Sequence, residues 1–257
     1  MKKKDKILLG SSSFLLPKSK SWEKFKNFNT IEFADYGNIH SILKNKNFCN
    51  FKIIVIFFED LILDKKNINK RLSFLLSNIN KSLISSSSET IICYSDYYSK
   101  EIIRNSKVQN KFTEFNNSFK KKLYSLSTKN KNLSIIDLDI VFNIHGYNKI
   151  IDKRNWYLAH CRLSEFGLDL LTEEIKKIIF RIKNPAAKVL ILDCDNTIWG
   201  GVVGEEGTYG IKIGTDGEGL MFQDFQKEII DLKNQGLILA ISSKNNEKDV
   251  MEVFKNN

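Results

Sequence analysis

The sequence predicts an α/β protein: a three-layer α/β/α domain over most of its length, then a second α/β unit. Three observations carry this. Short apolar runs bounded by turn residues alternate with amphipathic stretches at helical spacing. The apolar runs are nearly continuous, which suits parallel strands buried on both faces. The charge also changes sign near residue 186: 33 basic and 18 acidic side chains precede it and 7 and 12 follow, a balance of +15 and then −5. Such asymmetry fits two units with different partners.

The elements follow in order. "KILL" (6–9), "TIEFA" (30–34), "KIIVIFF" (52–58), "TIICY" (90–94) and "LSIIDL" (133–138) read as strands. "NKRLSFLLSNINKSLI" (69–84) sets Leu72, Leu75, Leu76, Ile79 and Leu83 on one helical stripe. "QNKFTEFNNSFKKKLYSL" (109–126) does the same with Phe112, Phe115, Phe119, Leu123 and Leu126. "SEFGLDLLTEEIKKIIFRI" (164–182) is a longer helix, stopped by Pro185 in the linker "KNPAA" (183–187). The second unit then opens with a strand, "KVLILD" (188–193). A helix "GLMFQDFQKEIIDLKNQG" (219–236), a strand "LILAIS" (237–242) and a helix starting near Asn246 complete it. The domains are therefore set at 1–183 and 187–257.

Composition excludes several classes. The 257 residues are 42% hydrophobic and 27% charged, enough for a globular core. The net charge is +10, but only five of forty basic residues are Arg. With abundant Asn, Ile and Phe, this resembles the bias of an AT-rich genome. Bidentate nucleic-acid recognition favours Arg, so no nucleic-acid partner is expected. The four cysteines, Cys49, Cys93, Cys161 and Cys194, form no C-x-x-C and read as reduced thiols of a cytoplasmic protein. No apolar run reaches the ~18 residues of a membrane span. The opening "MKKKDKILLGSSSFLL" imitates a signal peptide, but Asp5 breaks its basic region and Gly10–Ser13 its apolar one. "GSSS" reads as the turn after the first strand.

The chemistry concentrates in "ILDCDNTIWGGVVGEEG" (191–207). Asp193 and Asp195 follow an apolar strand, where ligands gather in parallel sheets. Residues i and i+2 of a strand share a face, so both carboxylates should enter one cleft. Mg²⁺ would relieve their repulsion and leave room for phosphate oxygens. Asp193 could then act as a nucleophile and Asp195 as a general acid and base. Asn196 and Thr197 would hold the turn by side-chain hydrogen bonds. Trp199 is either a lid over the site or core.

"DCDNT" after the strand resembles the D-x-D-x-T signature of the haloacid dehalogenase (HAD) superfamily of phosphotransferases. With "IWGGVVGEEG" and "LILAISSKNN" (237–246), the stretch resembles its FkbH-like branch, in which a domain similar to SGNH hydrolases precedes a Rossmann-like HAD domain. "RNWYLAHCRLSEFGLDLL" (154–171) is also similar to the segment before the HAD strand. The resemblance implies that Asp193 is nucleophile and metal ligand. It implies that Asp195 is acid/base, its backbone carbonyl the second protein contact of Mg²⁺. It implies that Ser243 hydrogen-bonds the transferred phosphoryl, with Ser242 its rival, and that 199–207 form a flap. It implies a phosphorylated substrate. In better-known members this is 1,3-bisphosphoglycerate, whose glyceryl group passes to an acyl carrier protein with loss of phosphate.

Two expectations complete the reading. In the family a later Lys and acidic residues finish the site, whereas fourteen residues follow Ser243 here. The sequence thus reads as the first half of a HAD domain, inactive alone and with an open sheet edge. The alternative is a non-catalytic adaptor that binds a carrier protein and has a vestigial HAD part. An SGNH-like esterase would use a Ser within Ser11–Ser13, but no Asp-x-x-His precedes or contains His40, His145 or His160. Ser11–Ser13 therefore read as a turn.

Overall fold

The computed structural model describes residues 4–27, 29–35, 37–45, 47–62, 67–97, 106–184 and 187–256, with the backbone alone at 106–110. Pro185 and Ala186 of the expected linker, and Met1–Lys3, lie outside the described residues. The chain divides into two compact units, Met1–Ile182 and Lys183–Asn257.

The first unit is a three-layer α/β/α domain. Its strands β1 (Asp5–Ser11), β2 (Asn29–Phe33), β3 (Phe51–Phe57), β4 (Glu89–Ser95) and β5 (Leu133–Asp137) lie in the order β2-β1-β3-β4-β5, every pair parallel. Alternate residues feed opposite faces. Ile7, Leu9, Ile53, Val55 and Ile91 pack with Trp22, Phe25 and, from the helix Glu165–Lys183, Leu168, Leu171 and Ile175. Leu8, Ile54, Ile56 and Ile92 pack against Leu72, Leu75, Leu76, Ile79 and Leu83 of the helix Ile68–Ser85, and Phe119 and Leu123 of the helix Ser106–Lys129. Each such side chain removed from water contributes about 1.5–3 kcal/mol. Phe112, Phe115 and Leu126 are only partly buried on that second face.

Two elements differ from the sequence reading. The first strand runs on through Gly10 and Ser11, so only Ser12 and Ser13 turn. The fifth ends at Asp137 because its side chain accepts from Asp139 N at 3.1 Å and starts the helix Leu138–His145.

Strand order reverses between β1 and β3, the crevice where open α/β sheets bind ligands. Here a buried network fills it. Arg162 Nε donates to Asp60 Oδ1 at 2.9 Å and Nη1 to Glu59 Oε2 at 2.7 Å. Its guanidinium lies 4.2 Å from the Trp156 ring centroid. Ser12 Oγ donates to Asp60 Oδ2 at 2.9 Å and accepts from Phe57 N at 2.9 Å. Ser13 Oγ donates to the His160 carbonyl, not its ring, at 2.9 Å and accepts from Arg162 N at 3.3 Å. Both hydroxyls are thus engaged in holding the turn. Burial raises Asp60 above the ordinary carboxylate range, and Arg162 pulls it back.

In the second unit β6 (Val189–Leu192) and β7 (Ile238–Ile241) pair in parallel, Leu192 beside Ile241. The helices Gly217–Asn234 and Glu247–Asn256 follow the two strands. The core comprises Leu192, Cys194, Ile198, Trp199, Val203, Ile211, Ile229, Val250 and Val253. Unlike β1, β3 and β4 of the first unit, the run 188–193 is packed on one face alone: Ile191 is 65% and Ile238 63% exposed. Their partners Leu190, Leu192 and Leu239 take the packed side. No described helix is long and apolar enough to cross a membrane.

Removing Arg162 takes the guanidinium from two carboxylates in a site where its own side chain is 4% exposed. Arg162→Ala should cost the first unit about 3–5 kcal/mol in urea unfolding, and Arg162→Lys, which keeps charge without the fork, should cost less.

Candidate active site

The site is built where β6 and β7 end. The strand stops at Leu192, so strand alternation does not place Asp195; a tight turn does. The Cys194 carbonyl accepts from Thr197 N at 3.2 Å, Ile198 N at 2.8 Å and Trp199 N at 3.4 Å. This folds the chain back at once and demands a left-handed residue at Asn196 (φ +53°), a conformation Asn tolerates. Asn196 Oδ1 accepts from Gly201 N at 2.9 Å, as expected for a turn-holding side chain. Thr197 contributes its backbone N–H; its hydroxyl has no partner among the described residues.

The two carboxylates receive opposite treatment. Asp193 is exposed, and one of its oxygens, Oδ1, accepts from the adjacent Cys194 N at 2.8 Å. Asp195 is half-buried. Its Oδ1 accepts from the Trp199 indole at 3.0 Å and Val203 N at 3.3 Å, and its Oδ2 from Asn245 Nδ2 at 2.8 Å. Neither Asp has a cationic partner among the described residues, and the Asp195 main-chain carbonyl accepts no hydrogen bond from one. Between them, burial raises the Cys194 thiol, and the Ser243 hydroxyl beside it pulls it back.

The β7 end supplies the opposite wall. Ser242 N donates to Leu192 O at 2.9 Å, continuing the strand pairing, and its side chain is exposed. Ser243 Oγ accepts from Asn245 N at 3.2 Å. The structure therefore gathers Asp193, Asp195, Ser242 and Ser243 at the carboxyl end of one strand pair, with Ser243 turned to Cys194. The helix after them starts at Glu247.

Sequence reasoning left Trp199 between lid and core and passed over Asn245. Trp199 is fully buried against Phe254, at 5.9 Å between ring centroids, while its indole N–H reaches Asp195. A buried Trp needs an acceptor for that N–H, which is the signal that could have linked it to a nearby carboxylate. Nothing local in "SSKNN" marks Asn245; only the fold brings it to Asp195.

The segment 199–207 is a fixed strap. Gly200 and Lys212 exchange backbone bonds at 3.1 and 2.8 Å, and Gln226 Nε2 donates to Ile198 O at 2.8 Å. Gly201, at φ +92°, turns the chain into the short helix Val203–Glu206.

Mg²⁺ takes one or two protein carboxylates and keeps water or phosphate oxygens in its remaining positions. The free Asp193 oxygen and the unengaged Asp195 carbonyl fit that demand. The Asp195 carboxylate, already bound by three donors, fits it less. Among the described residues there is no group of three or more His, Cys, Asp or Glu side chains able to hold a metal.

No family model matches the sequence, and no curated protein matches it. Among solved structures, the chain is similar to the N-terminal part of the protein BF1531 from Bacteroides fragilis, which contains a phosphatase domain and was crystallised in complex with Mg. The identity is 26% and the TM-score 0.78, over 99% of this chain and 72% of that one. A putative SGNH hydrolase from Slackia heliotrinireducens gives 8% identity and a TM-score of 0.42, over 69% of this chain and 100% of its own. A Clostridium thermocellum family 3 carbohydrate esterase gives 15% and 0.43, over 70% and 99%.

The strap leaves no room at Gly210, where an added Cβ would overlap the Glu206 carbonyl, an immobile backbone atom. Gly210→Ala should lower the stability of the second unit by about 1–3 kcal/mol, read as an earlier urea transition in the amide exchange of residues 187–256.

Proposed function

We propose that the second unit is a Mg²⁺-dependent phosphoryl-transfer centre of the HAD type, with Asp193 as nucleophile and Asp195 as acid/base. One observation carries this reading: an exposed carboxylate without a cationic partner stands two residues from a carboxylate fixed by three donors. Similarity to a phosphatase-domain protein crystallised with Mg supports it.

An Asp193 oxygen attacks phosphorus as the bond from phosphorus to the leaving oxygen breaks. Asp195 gives its proton to that oxygen. Water then attacks the phosphorus of the phospho-aspartate, Asp195 takes the water's proton, and inorganic phosphate and free Asp193 result. Ser243, or Ser242, donates a hydrogen bond to the phosphoryl group. Bound Mg²⁺, held by the Asp193 carboxylate and the Asp195 carbonyl, supplies charge compensation for the phosphoryl oxygens.

The test needs no turnover. Beryllofluoride, which mimics a phosphoryl group on a carboxylate, should bind in calorimetry only with Mg²⁺ present, and Asp193→Asn should abolish that binding. Binding that survives Asp193→Asn, or needs no Mg²⁺, overturns the reading and leaves the adaptor. Phosphate release from a panel of phosphomonoesters, run beside it, measures whether the 257-residue chain turns over or is inactive as its sequence suggests.

The narrower proposal is the FkbH-like one, transfer of a glyceryl group from 1,3-bisphosphoglycerate to an acyl carrier protein with loss of phosphate. The +15 balance of residues 1–185 suits an acidic carrier through long-range attraction. Carrier binding should weaken steeply from low to physiological salt; binding indifferent to salt removes this partner surface.

A further inference from the structure

The Asp195 carboxylate is the meeting point of three segments: its own turn, the strap and the loop after β7. An ionised carboxylate offers about four lone-pair positions, two on each oxygen. On Oδ1 both are used, by the Trp199 indole at 3.0 Å and Val203 N at 3.3 Å. On Oδ2 one is used, by Asn245 Nδ2 at 2.8 Å. The position left for a proton is the second one on Oδ2.

We propose that Oδ2 is the proton-carrying oxygen of Asp195, that Asn245 is the positioning residue that aims it, and that Trp199 and Val203 N anchor the opposite oxygen. This rests on the phosphoryl-transfer reading above and assigns roles inside it. The Asn245 amide can donate to Oδ2 in both the protonated and the ionised state, since a protonated carboxyl oxygen keeps a lone pair. It therefore fixes the direction of the O–H bond without competing for the proton. Asn245 is itself held, because its backbone N–H bonds Ser243 Oγ at 3.2 Å. The same loop thus orients the hydroxyl for the phosphoryl group and the acid for the leaving oxygen. A Trp anchor on Oδ1 has a different consequence. It ties the carboxylate to the strap through a buried ring, and it touches the oxygen that carries no proton.

The two roles separate by leaving group. An alkyl phosphate leaves as a strong base and needs its oxygen protonated in the transition state; 4-nitrophenyl phosphate leaves as a weak base and does not. The experiment compares kcat/KM, which reports formation of the phospho-aspartate and not its shared hydrolysis, for these substrates in the wild type, Asn245→Ala and Trp199→Phe, after checking that each variant keeps its circular dichroism. Asn245→Ala should lose about tenfold or more on the alkyl substrate than on the nitrophenyl one, the scale of one hydrogen bond to a charged group. Trp199→Phe should lower both by a similar factor. Equal losses for Asn245→Ala on both substrates, or a leaving-group-selective loss confined to Trp199→Phe, overturn the assignment while the nucleophile stands. Wild-type turnover unaffected by Asp193→Asn, or beryllofluoride binding that survives Asp193→Asn, overturns the underlying reading and this inference with it; where the chain does not turn over, an Asp195 carboxyl 13C resonance in the beryllofluoride complex that Asn245→Ala leaves unmoved overturns the assignment.

Discussion

A parallel sheet sends the ends of all its strands to one edge, and the carboxylates placed there must be compensated. This constraint shapes both units of the chain. In the first, Glu59 and Asp60 follow β3 and face a crevice that could hold a ligand. The chain supplies its own cation, Arg162, from 102 residues away in sequence, and stacks Trp156 over it. In the second, Asp193 follows β6 with no basic partner among the described residues. Asp193 is exposed instead, its charge left to solvent and open to a bound cation. The first unit's serines follow the same pattern as its carboxylates. Ser12 and Ser13 spend their hydroxyls on the turn and the ion pair.

The fold was legible because its signals are local. Continuous apolar runs and i, i+3, i+4 stripes gave β1 to β7 and the long helices to within a few residues. Short helices such as Lys20–Lys26 and Ile39–Lys44 were not read, since seven or six residues hold too little periodicity to separate from a loop. The run 188–193 was read only as a strand, without a count of its buried faces. Its composition cannot tell how many layers cover it, and in the structure Ile191 and Ile238 stay exposed.

The site divides along the same line. That Asp193 and Asp195 would stand at a strand end was legible from the apolar run before them, and Ser243 entered through the family resemblance alone. The expectation that the two carboxylates share a face by strand alternation assumed a strand that continues to residue 195. The strand stops at Leu192, and the Cys194 carbonyl gathers three N–H groups instead. Trp199 and Asn245 were not legible as partners of Asp195. One lies four residues away and the other fifty, and only the pairing of β6 with β7 brings the second into reach.

That pairing has a mechanical consequence. The Asp195 carboxylate is bonded to the strap through Oδ1 and to the β7 loop through Oδ2, so it ties the two segments together. A displacement of the strap toward or away from the site cannot occur without lengthening the bond from Trp199 or rotating the carboxylate. Rotation would carry Oδ2 away from Asn245 and misdirect its open position. On the phosphoryl-transfer reading proposed above, proton transfer requires strap and loop to hold the same carboxylate at once. The segment 199–207, whose glycines fit a tight flap or any loop in the sequence, is in the structure bonded to the Asp195 carboxylate.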